Sequence, residues 1–386
     1  MVEPRSLWVR VNALRQMRGW KWYGLAVDAG LVEETFKRWG QGRNKPSLDA
    51  VQRVAKAFSM TVDELIAGLP RLAERPSSDP PPPPSVSSDR HRFDPWKPAS
   101  GPSFVGRTNI LEHLAEAYER GGSVNLPGER RIGKSSLLAE WGRIACERGI
   151  EVVHVSSEQV PGLSPDALVE AITGKRAEPG ADSSAEVLLR WLEQPGRVKP
   201  LVLIDEFDAL AISIEDRFFQ RLRGMVGEGL CCFVLATCKD LSELSTPGRT
   251  SPFDNLLETI QVGLLDPWAA DQLAGRCEEL SGAQGVSLLR HWAGAHPFYL
   301  QLGGHHFMRA LLEGASIERG IDEFRGAAGR YLDALWKHAS PREQEALITG
   351  EGEKKVLRRM SRRGLLTEHD LPFGQVFTSW LEEMTR

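Results

Sequence analysis

Short apolar runs alternate with longer amphipathic stretches between residues 104 and 300. Ser123-Val124-Asn125-Leu126 reads as a strand, as do Ile150-Glu151-Val152-Val153-His154-Val155 and Leu230-Cys231-Cys232-Phe233-Val234-Leu235-Ala236-Thr237. A fourth run, Leu201-Val202-Leu203-Ile204, is aliphatic throughout and ends in Asp205-Glu206. That is the pattern of a strand buried on both faces that delivers carboxylates at its C-terminal end. Ile110 to Leu114 and Ser136 to Trp141 read as helices between these runs. The alternation predicts an α/β core, a parallel sheet with flanking helices.

The first 68 residues carry a different pattern, a string of short helices. Leu7 to Met17 is apolar at helical spacing, Ala50 to Phe58 is amphipathic, and Thr61 is placed to cap a last helix. Gly19, Gly30, Gly40 and Gly42 punctuate them. Between Leu25 and Trp39 the order is short helix, glycine turn, second short helix, which is helix-turn-helix geometry. Pro70 to Pro102 reads as a linker and includes the five-proline run 80–84, a stiff polyproline II spacer.

Composition bounds what the chain does. With 386 residues and 41% hydrophobic residues it is expected to be a soluble protein of two or three domains. The N-terminus has no secretory h-region and no run is long and apolar enough to span a bilayer, so a cytoplasmic location without membrane contact is expected. Five cysteines without a C-x-x-C pair argue against a disulfide framework. The net charge of −4 divides unevenly: residues 1–75 carry +5 and the remainder −9. A basic head on an acidic body points to DNA as a partner of the head.

The sharpest motif is Gly128-Glu129-Arg130-Arg131-Ile132-Gly133-Lys134-Ser135, followed by Ser136. It reads G-x-x-x-x-G-K-[ST], a phosphate-binding loop, and it stands between a predicted strand and a predicted helix. Glycines let successive N–H groups turn toward an anion, Lys134 supplies a charge for the β- and γ-phosphates, and Ser135 is a ligand for Mg²⁺. Asp205 is placed to hold Mg²⁺ through water, and Glu206 to orient or deprotonate the attacking water. Thr237 and Lys239, at the end of the 230–237 strand, are both candidates to sense the γ-phosphate. ATP or ADP with Mg²⁺ is therefore the expected cofactor.

Two resemblances extend this reading. On Leu25-Ala26, Ala29-Gly30, Thr35-Phe36, Trp39, Gly42, Pro46-Ser47-Leu48 and Leu65, residues 1–69 resemble the Cro/repressor-type helix-turn-helix family. That likeness implies that 33–38 face the major groove through Glu33, Glu34, Thr35, Lys37 and Arg38, with Arg43 and Lys45 near phosphates. Trp22, Tyr23, Glu33 and Glu34 depart from the family's polar helix starts, and a head kept for protein contacts is the alternative.

The loop, Phe104-Val105-Gly106-Arg107 and Gly294-Ala295-His296-Pro297-Phe298 together make 104–305 similar to STAND and archaeal-type AAA P-loop ATPases. By that likeness 103–265 is the ATPase core, 266–327 a helical lid and 328–386 a winged-helix domain. It also implies that Val105 and Arg107 lie beside the adenine, and that Pro297 packs on the nucleotide with His296 nearby. Arg249 is an arginine-finger candidate by position. The basic run Lys354, Lys355, Arg358, Arg359, Arg362 and Arg363 is either a solvated helix face, a second DNA contact or an intramolecular clamp. The expected activity is slow ATP hydrolysis in a regulatory or defence switch, with ATP-dependent self-association and an unnamed protein partner. A transposition-type ATPase that recruits a recombinase and a non-hydrolysing nucleotide-gated module are the rivals.

Overall fold

The structure is a computed structural model and describes residues 4–17, 21–29, 31–40, 46–58, 60–62, 65, 93–177, 179–244 and 253–385. The chain divides into two compact units, residues 1–85 and 86–386.

Among the described residues of the first unit, α1 (Pro4–Met17), α2 (Trp22–Asp28), α3 (Glu33–Gly40) and α4 (Leu48–Ala57) enclose a core of their own. Leu7, Val11, Leu25, Phe36, Trp39, Val54 and Phe58 are buried in it. Trp22 stacks on Trp8 at 5.8 Å between ring centroids and meets Phe36 at 5.1 Å, so this departure from a polar helix start is a core residue. Ser47 caps α4, accepting from the N–H of Ala50 at 3.2 Å.

The second unit is built on five parallel strands: β1 (Ser123–Pro127), β2 (Val152–Ser156), β3 (Leu201–Asp205), β4 (Cys232–Thr237) and β5 (Leu257–Thr259). Their order across the sheet is β2-β3-β4-β1-β5. Four strands fall where the apolar runs predicted; the short edge strand β5 has no comparable run. Alternation in β3 feeds both faces. Leu201 and Leu203 join Val124, Leu126, Val234 and the helices α5 (Thr108–Glu119) and α6 (Lys134–Glu147) on one side. Val202 and Ile204 join Phe233 and Leu235 on the other, under α7 (Pro165–Thr173), α8 (Ala181–Leu192), α9 (Phe207–Ser213) and α10 (Asp216–Gly227). This is the α/β P-loop NTPase core that the sequence pattern predicts.

Beyond the sheet come α11 (Pro267–Ala274), α12 (Glu278–Ala293), α13 (Pro297–Leu312), α14 (Ile317–His338), α15 (Pro341–Thr349), α16 (Lys354–Arg363) and α17 (Gln375–Met384). The boundary expected at 327/328 falls inside α14, which is uninterrupted over 22 residues. One apolar core runs from Leu265 through α13 and α14 to Phe377 and Leu381. At Gly294, with φ 61°, a Cβ would land on the Phe373 carbonyl, so the two backbones touch where any side chain would separate them. Lid and tail are therefore one packed body.

The linker boundary at 102 also moves. Phe93 is buried in the lid core, and residues 94–101 run along the second unit, so the spacer ends before Phe93. No described helix is long and apolar enough to cross a membrane.

Candidate functional site

The loop between β1 and α6 takes the shape its sequence demands. Gly133 caps α6 at φ 100°, a left-handed conformation that favours glycine. Gly128 is required for another reason: a Cβ there would stand 2.5 Å from the Val262 carbonyl oxygen. Arg131 also has positive φ, 62°. The Lys134 ammonium is buried and donates to the carbonyls of Gly128 at 2.8 Å and Glu129 at 2.9 Å, which holds the loop closed on itself. Ser135 and Ser136 open onto the adjoining cleft at the N-terminus of α6, an anion-favouring position.

The cleft is lined by residues 131–136 of the loop, by Phe104, Val105 and Arg107, by Leu265, Leu273, Pro297, Phe298 and Gln301, and by residues 94–99. Val105 and Pro297 both line this cleft together with the loop. Arg107 lines the cleft, but its guanidinium is spent on backbone. It donates to the carbonyls of Gly263 at 2.5 Å, Leu264 at 3.1 Å and Ile132 at 3.3 Å. Burial lowers its pKa to about 10, with nearby Asp266 opposing. Arg107 thus ties the loop to the strand-to-lid connection.

His296 sits behind the cleft wall rather than in it. It is buried between Tyr299 and Phe373, both rings at 4.8 Å. Desolvation, helped by the Arg107 charge, lowers its pKa to about 3, so it is a neutral packing residue. Thr237 is fully buried, and its hydroxyl donates to Asn125 Oδ1 at 3.0 Å. That bond engages the hydroxyl with β1, and Thr237 is not among the residues that line the cleft. Lys239 is exposed beyond β4.

Asp205 and Glu206 close β3. Asp205 Oδ1 accepts from the Glu206 N–H at 3.0 Å, and Glu206 holds a left-handed φ of 54°. Partial desolvation first, then the carboxylates of Glu158 and Asp205, push the Glu206 carboxyl above its ordinary 4.5, while Arg130 and Lys134 oppose. The sequence reading missed Asp208. Its carboxylate accepts from the N–H groups of Cys238 at 2.9 Å and Lys239 at 3.3 Å, fixing the end of β4 against the start of α9.

The largest omission is the tail's grip on the loop. Glu129 is buried and ion-paired to Arg363 at the end of α16, and its N–H donates to the Arg363 carbonyl at 3.3 Å. Arg363 also bonds Glu343 at 2.8 Å, and Arg359 reaches the same carboxylate at 3.2 Å. Next to it, Gly364 lies against Ile132, where a Cβ would approach Cδ1 to 2.6 Å. Arg131 completes the link, its guanidinium 4.5 Å above the Phe298 ring and 4.3 Å above Tyr331. So Arg359 and Arg363 of the basic run clamp the core, while Lys354, Lys355, Arg358 and Arg362 face solvent.

In the first unit Lys37 and Arg38 are exposed on α3 and Thr35 is half-buried. Only the backbone of Glu33 and Glu34 is described, and Arg43, Lys45 and Arg249 lie outside the described residues. Among the described residues no cluster of three or more His, Cys, Asp or Glu side chains is arranged to hold a metal ion. Ser135 and Asp205 carry oxygen donors of the kind Mg²⁺ takes, one or two from protein with phosphate and water completing its shell.

Among solved structures, the chain is similar to the Walker-type ATPase PABY2304 of Pyrococcus abyssi. Identity is 15%, coverage 75% of this chain and 99% of that one, and the TM-score 0.52. It is also similar to the ORC2 protein of Aeropyrum pernix, solved as ADPNP–ADP complexes, at 15% identity, 77% and 99% coverage and a TM-score of 0.49. The first likeness establishes the fold, and at this identity nothing more. No family model matches the sequence, and no curated protein matches it. Fold and loop together define a P-loop NTPase core.

The ion cluster has a measurable cost. Arg363→Met leaves the buried Glu129 carboxylate unpaired and should destabilise the fold by about 3 kcal/mol at pH 7. Burial raises the Glu343 pKa, but the Ser340 N–H and the Arg363 charge outweigh it and leave the net shift downward. A depressed carboxylate stabilises above its ordinary 4.5, and that contribution is lost as pH falls through the folded value. The gap between wild type and Arg363→Met, read by urea denaturation, should therefore narrow below pH 4.5. A gap of constant size down to acid pH contradicts the assignment.

Proposed function

We propose that this chain is an ATP-binding, slowly hydrolysing switch of the STAND kind, coupled to a DNA-binding head. The observation that carries the reading is the Glu129–Arg363 pair, because it joins the phosphate-binding loop to the lid-and-tail body. A nucleotide in the loop acts on residues 128–136, and any rearrangement there bears on the tail's main attachment.

In this reading the loop N–H groups and the α6 N-terminus bind the phosphates. Lys134 leaves the Gly128 and Glu129 carbonyls for the γ-phosphate. Ser135 and Asp205 would hold Mg²⁺, which would offset charge on the β- and γ-phosphates. Glu206 takes the proton of the attacking water, and its raised pKa makes it a stronger base than an ordinary carboxylate. Phe104, Val105, Leu265, Leu273 and Pro297 give the base an apolar bed. A nucleotide-gated module without turnover is the second reading. It is favoured by Thr237, whose hydroxyl is engaged by Asn125.

Turnover separates the two. Lys134→Ala should abolish binding of a fluorescent ATP analogue. Glu206→Gln should bind it normally but lose about 100-fold or more in single-turnover hydrolysis. Equal turnover in wild type and Glu206→Gln removes Glu206 as the base, and no turnover in either supports the gated module.

For the head, the basic balance of residues 1–75 and the exposed Lys37 and Arg38 support contact with duplex DNA. Lys37→Ala with Arg38→Ala should weaken binding to an enriched duplex about tenfold or more and flatten its salt dependence. An unchanged affinity and salt slope would falsify DNA contact through α3.

A further inference from the structure

Residues 93–101 lie beyond every motif of the nucleotide site, yet they form one side of its cleft. The lid end is seated first. Phe93 is 4% exposed and fills a notch on α13 that exists only because residue 304 is glycine; a Cβ there would collide with the Phe93 ring. One residue on, the Asp94 N–H donates to Gln301 Oε1 at 3.1 Å, and Trp96 meets the His305 ring edge-on at 4.8 Å. Gln301 and His305 are both on α13.

The other end is seated on the core. The Ala99 N–H donates to Ser136 Oγ at 3.0 Å, and the Gly101 N–H to Glu140 Oε2 at 2.6 Å. Both acceptors are on α6, the helix that begins at Lys134. Glu140 is buried and held by Arg143 at 2.7 Å, so it is a fixed acceptor. Between the two ends run Pro95, Trp96, Lys97 and Pro98, all lining the cleft. Two prolines in four residues fix φ and remove two donors, which makes the segment stiff.

The two seats differ in kind. The Phe93 seat is apolar, buried and continuous with the lid core. The α6 seat consists of two backbone N–H bonds, to the Ser136 hydroxyl and the Glu140 carboxylate, both of which water can replace. An extended chain spans at most ~3.6 Å per residue, so the stretch between Asp94 and Ala99 reaches no further than about 18 Å. The lid opens away from α6 beyond that reach only if one seat lets go, and the α6 seat is the weaker.

We infer that residues 93–101 are a strap latching lid to core across the nucleotide cleft, whose α6 end is released when the cleft opens and reseated when nucleotide closes it. The strap stays with the lid through Phe93. The inference rests on the nucleotide reading of the cleft and adds how that site is regulated.

Hydrogen exchange resolved to single amides tests it, because each seat has its own reporter. With a non-hydrolysable ATP analogue and Mg²⁺, the Ala99 and Gly101 amides should exchange about tenfold more slowly than without nucleotide, while Asp94 changes little. Calorimetry on the same samples establishes occupancy. Occupied protein with unchanged exchange at Ala99 and Gly101 overturns the strap alone. Wild type that binds no nucleotide overturns the cleft reading and the strap with it. Gly304→Ala, a substitution that suits a helix but evicts Phe93, should speed exchange at Asp94 and weaken nucleotide binding about tenfold. Phe93→Ala should do the same without crowding α13. Wild-type exchange and affinity in both variants contradict the latch.

Discussion

A guanidinium taken out of water costs several kcal/mol unless carboxylates and hydrogen bonds replace its hydration. Arg363 meets that demand with Glu129 on one side and Glu343 on the other. Glu129 belongs to the phosphate-binding loop and Glu343 to the tail, so the charge balance of this one side chain spans two parts of the molecule. Replacing either carboxylate exposes the imbalance, and so does any movement that pulls α16 from the loop. Buried ion pairs contribute little net stability, but they penalise every arrangement that breaks them. The loop is thereby held to one tail position.

The apolar packing decides which parts move together. Phe373 stacks on Tyr299 of α13 and on Phe377 of α17, and Gly294 and Gly374 bring the two backbones into contact. Among the described residues the lid–tail cluster and the sheet clusters are separate, and the links between them include Arg363 to Glu129, Arg131 over Phe298 and Tyr331, the Arg107 bonds to carbonyls, Gly364 against Ile132, and the strap. Polar links of this kind exchange with phosphates and water at modest cost, whereas the lid–tail core does not.

Features whose cause is local were legible in the sequence. The loop is a run of eight residues, and the burial of β3 on both faces follows from four consecutive aliphatic side chains. Features whose partners lie far along the chain were not. Nothing in the basic run of α16 distinguishes Arg359 and Arg363 from their solvent-facing neighbours until Glu129 and Glu343 are placed beside them. Phe93 reads as part of a proline-rich spacer because the notch at Gly304 that receives it is formed by a helix about 200 positions away in sequence. The boundary at 327/328 failed for a related reason: α14 serves lid and tail with one amphipathic face. Thr237 was placed by strand end alone, whereas its hydroxyl is bonded to Asn125 on the neighbouring strand, 112 positions away in sequence.

If the loop and the lid-and-tail body form a switch, nucleotide must change the distance between sheet and tail. Cys146 is exposed on α6, Cys238 is half-buried, and Cys231, Cys232 and Cys277 are buried, so a Cys238→Ser background leaves one native thiol for a spin label on the core. Glu382→Cys adds a second on the exposed end of α17. Pulsed dipolar spectroscopy on that pair, in a Glu206→Gln background, should give one distance distribution without nucleotide and a displaced one with ATP and Mg²⁺. Superimposable distributions at verified nucleotide occupancy would contradict the switch.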